Sequence, residues 1–255
     1  MTRDKSHDLV DVPQPPSERR ALTEYEQYIR TEPLLGLQKA PDELSCHDEL
    51  AFQIVHQVEE LWMKLCQHEL RLCERLIDED RLSEARGTLY RMYVICDLMG
   101  AQLRILETLS PRAYFTIRAV LGRGSGQESP GFNTLLQEPA RLRRACRDAL
   151  KRRGVRLLEL HRDPARDPDL FALTEGLIDF DEAFQGFRHR HLALVRRIIG
   201  GRTPSLKGAP ADLLEHGVRQ TFFPELWLVR EALFRDFTPG PSLFEDEGTD
   251  PHAHG

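Results

Sequence analysis

The sequence predicts an all-α fold, a bundle of long antiparallel helices. Three observations carry this. Long segments place apolar residues at three- and four-residue steps. No stretch alternates apolar and polar residues as a half-buried strand would. Helix-starting residues (Ser110-Pro111, Pro224) and the helix-stopping Gly200-Gly201 punctuate the chain where such segments begin and end. The 255 residues, 40% hydrophobic and 30% charged, suffice for one sizeable globular core. A net charge of −6 argues against nucleic acid as partner. The expected organisation is an N-terminal arm over 1–20, one helical domain over 21–238 and a tail over 239–255.

Taken in order, residues 22–38 read as two short helical pieces interrupted at Pro33, with Tyr25 and Tyr28 among their apolar residues. A long helix then runs to about Ile77, capped by Asp42 or Ser45. Within it Ile54, Val58, Leu61 and Leu65 form the expected core stripe, and Phe52, His56 and Met63 fall on nearly the opposite face. A second long helix spans about Ser83 to Thr108, with Leu89, Met92, Cys96, Met99, Leu103 and Leu106 in step. Ser110-Pro111 opens a short third helix through Leu121. Residues 122–131 form a glycine-rich loop, which lacks a phosphate-binding GxxxxGK[ST] pattern. Arginine-rich helices follow over 138–176, with breaks at 162–164 and near 167–168. A strong helix runs from near Phe180 to Gly200, a short one over 209–220, and a last one over 222–237 opens at Pro224.

Five cysteines at no metal-binding spacing predict reduced, mostly buried thiols. The polar, proline-containing start and the lack of any long apolar run predict no membrane insertion and a cytoplasmic location.

Two histidines stand out. His56 shares an otherwise apolar second face with Phe52 and Met63, and His191 lies in the stripe Phe184, Phe187, Leu194, Ile198. Each pattern fits either a hydrogen-bonded core histidine or, for His191, an axial ligand to haem iron. Arg188, Arg190, Arg196, Arg197 and Arg202 flank the second helix and suit anionic groups such as haem propionates. Tyr114 and Arg118, at i,i+4, can offer a phenol and a forked guanidinium to one carboxylate, or form an ordinary surface pair.

Together, HDELxFxIxHQxxELWxKL from His47, LETLSPxxYFxxRxxLGxxSG from Leu106, FRHRHLxxVxRxIG from Phe187 and TFFPELWxxR from Thr221 resemble the tryptophan 2,3-dioxygenases, as does the segment Leu22–Ile29. The resemblance spans about residues 22–235. It implies a helical bundle enclosing a b-type haem, with His191 as axial iron ligand and dioxygen as co-substrate. It further implies that His56 accepts the indole N–H beside Phe52, and that Tyr114 and Arg118 hold the amino-acid carboxylate. Ser125 would lie near haem and substrate. Tyr25 and Tyr28 would reach into a neighbouring subunit of a homotetramer, a dimer of dimers. The implied reaction is cleavage of the C2–C3 bond of L-tryptophan to N-formylkynurenine, the opening of tryptophan catabolism by the kynurenine pathway. Departures concern the pocket's edges. Gly201–Gly208 stands where the family has a GTGG loop, so that Ser205 takes the place of its threonine. Gly126-Gln127-Glu128-Ser129 stands for GFQS, and Leu103 replaces an aromatic. They leave mono-oxygenation or hydroxylation of a modified tryptophan or tyrosine as the first alternative, and a non-catalytic haem- or ligand-binding protein as the second.

Overall fold

The structure is a computed structural model that describes residues 21–122, 124, 126–200 and 220–237. The chain divides into two compact units, Met1–Glu43 and Leu44–Gly255. The described residues contain helices and turns and no strand.

In the first unit, helix α1 (Glu24–Ile29) opens with a capping box: Thr23 accepts the Glu26 N–H while Glu26 accepts that of Thr23. The break before α2 (Thr31–Leu35) falls at Arg30, in the left-handed region at φ 57°, and not at Pro33. Pro33 sits within the first turn of α2, where a missing N–H costs nothing. Neither helix buries a residue; Tyr25 is 71% and Tyr28 88% exposed.

The second unit is built on three long helices, α3 (Glu49–Asp78), α4 (Leu82–Leu106) and α9 (Pro168–Ile199). Asp42 and Ser45 do not cap α3. Its N-cap position is Asp48, without a side-chain bond, and the buried Glu49 carboxylate instead accepts the Ser45 N–H at 2.6 Å. Residues 79–81 turn the chain so that α4 returns antiparallel, with Arg91 on Glu69 at 2.8 Å and the Cys73 thiol donating to the Ala85 carbonyl. By contrast, α9 runs parallel to α4: Gly176 packs on Leu89 and Gly100 on Phe187, at equal offset. Three helices sharing one core cannot all be mutually antiparallel, which corrects the uniform up-down expectation.

The long α4 stripe is buried as its period requires. On α3 the faces are exchanged. Val55, Met63, Cys66, Leu70, Cys73 and Ile77 enter the core, whereas Ile54 and Leu61 remain 42% and 49% exposed. The helix is apolar on both sides, and period alone does not say which side meets α4 and α9. By the antiparallel register, exposed Leu98 and Ile105 of α4 stand at the levels of Leu61 and Ile54.

Shorter helices close the bundle. Helix α5 (Pro111–Leu121), capped by Ser110 as its sequence predicts, packs on α3 and α9 through buried Ile117. Helix α6 (Pro130–Gln137) begins inside what reads as loop: Ser129 caps it by accepting the Phe132 N–H, with Pro130 at the first position. Helices α7 (Pro139–Arg152) and α8 (Leu157–Arg162) precede α9. Asp167 caps α9 with Pro168 next, so it starts twelve residues before Phe180, and Leu170, Leu173 and Leu177 extend the buried stripe. Helix α10 (Pro224–Phe237) packs on α8 and α9. The expected helix over 209–220 and the tail after 239 lie outside the described residues.

Candidate functional site

Register decides which residues meet. The antiparallel pairing of α3 with α4 sets His56 level with the end of α4 near Arg104. The parallel pairing of α4 with α9 sets that same level at His191. Helix α5 follows directly from this end of α4 and packs across both α3 and α9. Phe52, His56 and His191 therefore fall near one level of the bundle, at the end where α5, which carries Tyr114 and Arg118, packs on α3 and α9.

His56 is held in one tautomer. Its Nδ1–H donates to the Phe52 carbonyl at 2.7 Å, and a carbonyl can only accept. In the neutral ring Nε2 is then an unprotonated acceptor. The Phe52 and His56 rings lie 4.1 Å apart at 37°, a two-ring wall on one face of α3. Burial depresses the His56 pKa, opposed by the Phe52 carbonyl and the Glu60 charge.

His191 is more deeply enclosed. Burial pushes its pKa down to about 4, and the positive charge His56 would carry pushes it the same way. At neutral pH His191 is uncharged, the form that ligates a metal. Its ring lies 6.4 Å from that of Phe187. Among the described residues no hydrogen bond engages its ring nitrogens. A neutral imidazole with an apolar flank, at the level of a second histidine, is a donor that would fit haem iron.

Tyr114 and Arg118 are half-buried on either side of Ile117, so both emerge along the inward half of α5. Among the described residues Arg118 forms no ion pair. Of the flanking arginines, Arg188 does not serve an external anion. It is buried, donates to the Gln220 carbonyl, and lies over the Phe184 and Phe222 rings at 5.3 and 5.9 Å.

Ser125 and Ser205 lie outside the described residues. Tyr25 and Tyr28 belong to the first unit, which is described separately from the site. The open groove between α4 and α9, lined by Tyr90, Tyr93, Asp97, Glu175 and Asp179 among others, takes in Arg190 of the flanking arginines but none of Phe52, His56, Tyr114, Arg118 and His191.

Sequence reading missed one structural centre, Asp181. Fully buried on α9, its carboxylate accepts the backbone N–H groups of Phe222 and Phe223 at 2.9 and 3.2 Å and the Trp227 indole N–H at 2.9 Å, all on Oδ2. Gln185 donates to the other oxygen at 3.1 Å. An acid in an otherwise apolar stripe between Phe180 and Phe184 was the available signal.

The sequence model of one family, tryptophan 2,3-dioxygenase, matches residues 12–138. Curated relatives extend the match over most of the chain. The tryptophan 2,3-dioxygenase of Erythrobacter litoralis is 32% identical, over 82% of this chain and 98% of its own length. That of Saccharopolyspora erythraea is 32% identical over 84% and 94%, and that of Caulobacter vibrioides 30% over 82% and 98%. The chain belongs to the tryptophan 2,3-dioxygenase family.

Proposed function

We propose that this family member is a haem-dependent oxygenase of L-tryptophan or a close derivative, with cleavage of the indole C2–C3 bond to N-formylkynurenine as its reaction. The observation that carries the reading is the pair of buried, neutral histidines at one level of the bundle, one of them locked as an acceptor. His191 would hold a b-type haem through its ring nitrogen, and bound haem supplies the redox iron at which dioxygen is activated.

The chain's own residues bind, orient and enclose. His56 Nε2 accepts the indole N–H and fixes the ring by its only polar edge. Phe52 lies against His56 and supplies an apolar face for the indole. Arg118 and Tyr114 hold the carboxylate, so the amino acid is pinned at two ends and its C2–C3 bond is oriented before reaction. The apolar lining around Leu103 excludes water. By the family resemblance, Ser125 and Ser205 add polar contacts at the rim. Tyr25 and Tyr28, exposed in their own unit, complete the pocket of a neighbouring subunit in a homotetramer. The outward stripe of Ile54, Leu61, Leu98 and Ile105 also supports assembly. The absence of any described helix long and apolar enough to cross a membrane is consistent with a cytoplasmic enzyme.

One experiment separates this from its rivals: aerobic incubation of the reduced, haem-loaded protein with tryptophan, substituted tryptophans and tyrosine, followed by product mass. Two added oxygens with an opened ring are expected. One added oxygen means mono-oxygenation, for which the loss of the aromatic at Leu103 speaks. A haem absorption band without product means a binding protein.

A further inference from the structure

Glu60 lies one turn beyond His56 on α3, and both its oxygens hold the start of α6. The Ser129 hydroxyl donates to Oε1, and the Gly131 N–H donates to Oε2 at 3.1 Å. A carboxylate suits this place because it only accepts, and because a helix N-terminus favours negative charge. Gly131 leaves no room for a side chain: a Cβ there would lie 2.6 Å from Glu60 Oε2 and 2.9 Å from Met63 Cβ. Ser129 in turn accepts the Phe132 N–H at 3.0 Å. The Phe132 ring lies 5.8 Å from Phe184 and 6.5 Å from Phe187, and Phe187 lies 6.4 Å from His191. A line of contacts thus runs from the helix of His56 to the ring of His191.

We propose that Glu60 is a positioning residue that fixes the spacing between the His56 and His191 faces, acting through Ser129 and Phe132. The inference rests on the reading of those histidines as two walls of one site. Glu60 itself touches neither substrate nor cofactor in this role. Its reach matters more than its charge. E60Q keeps an acceptor for Gly131 and a donor for Ser129, whereas E60D keeps the charge but falls one methylene short.

The test compares E60D, E60Q and S129A with the parent protein. In the haem-loaded form, E60D and S129A are expected to lower kcat by about tenfold or more, since a displacement on the order of 1 Å can cost as much as about a hundredfold. KM should stay within about threefold, because the carboxylate clamp on α5 is untouched. In the haem-free form, the ring resonances of both His56 and His191 in carbon-13 histidine spectra should move in E60D and S129A and stay near the parent positions in E60Q. Unmoved His191 resonances in E60D overturn the proposal. So does an E60Q loss equal to that of E60D, which would assign the effect to charge. S129A also removes the α6 cap, so E60D decides if S129A fails to fold. A parent protein that takes up no haem and forms no product would instead sink the reading of the site, while the haem-free spectra still judge the brace.

Discussion

Trp227 donates its indole N–H to Asp181 Oδ2 at 2.9 Å, tying the last described helix to the helix that carries His191. The same oxygen takes two backbone N–H groups from Phe222 and Phe223, so one atom anchors the whole TFFPELW segment. Asp181→Ala would leave these buried donors without an acceptor. The expected loss is about 3–5 kcal/mol of stability, read as a lower midpoint in urea unfolding. Trp227→Phe removes one of the three donors on that oxygen and keeps an aromatic ring, and should cost less than Asp181→Ala, about 1–2 kcal/mol.

The buried histidines make the haem-free protein sensitive to acid. His191 has a folded pKa of about 4 against an ordinary 6.5, so below 6.5 the unfolded chain binds a proton that the folded chain refuses. The stability is complete above pH 6.5 and is lost as the pH falls toward 4, by about 3 kcal/mol at most for this group. His56, also depressed, adds in the same direction. Thermal midpoints across pH 4–7 for the haem-free parent and His191→Leu check this. The parent should lose midpoint steeply over that window, and the variant should show a shallower fall.

A locked Nε2 acceptor reads a hydrogen that a methyl group cannot supply. N1-methyltryptophan is therefore expected to be a poorer substrate than tryptophan by about tenfold or more in kcat/KM. In His56→Ala both substrates should slow, and the ratio between them should shrink toward one. An unchanged ratio would place the indole edge away from His56.

Arg118 offers a planar fork that lysine cannot copy. Arg118→Lys should raise KM for tryptophan by about tenfold, and Tyr114→Phe by a smaller factor, both on the order of one or two lost hydrogen bonds. Tryptamine, which lacks the carboxylate, should be nearly indifferent to either change. Steady-state kinetics with the two substrates measures this directly.

Much of the fold was legible because helix signals are local. Ser110-Pro111 and Pro224 mark helix starts that the structure bears out, and the α4 stripe from Leu89 to Leu106 is buried throughout. What failed was longer in range. An α3 apolar on both sides gave no local clue that Val55 and Met63, not Ile54 and Leu61, would face the core. Ser129 and Pro130 are start signals for α6 too, but glycines on both sides read as loop. His56 and His191 stood out as polar residues on apolar faces, yet no spacing in sequence sets them at one level. Asp181 and Glu60 escaped notice because their partners lie 41 to 71 residues away.

That common level has a source that carries none of the chemistry. Helix α4 contributes no proposed ligand or catalytic group, yet it is the shared ruler against which α3 and α9 are both graduated. Because a helix rises 1.5 Å per residue and turns by about 100°, one residue deleted between Leu89 and Gly100 would slide one graduation against the other and rotate Leu103 out of line. In this chain a loop at the pocket's rim can change length without moving either histidine, whereas this one silent helix cannot, because the two it measures are set by its length.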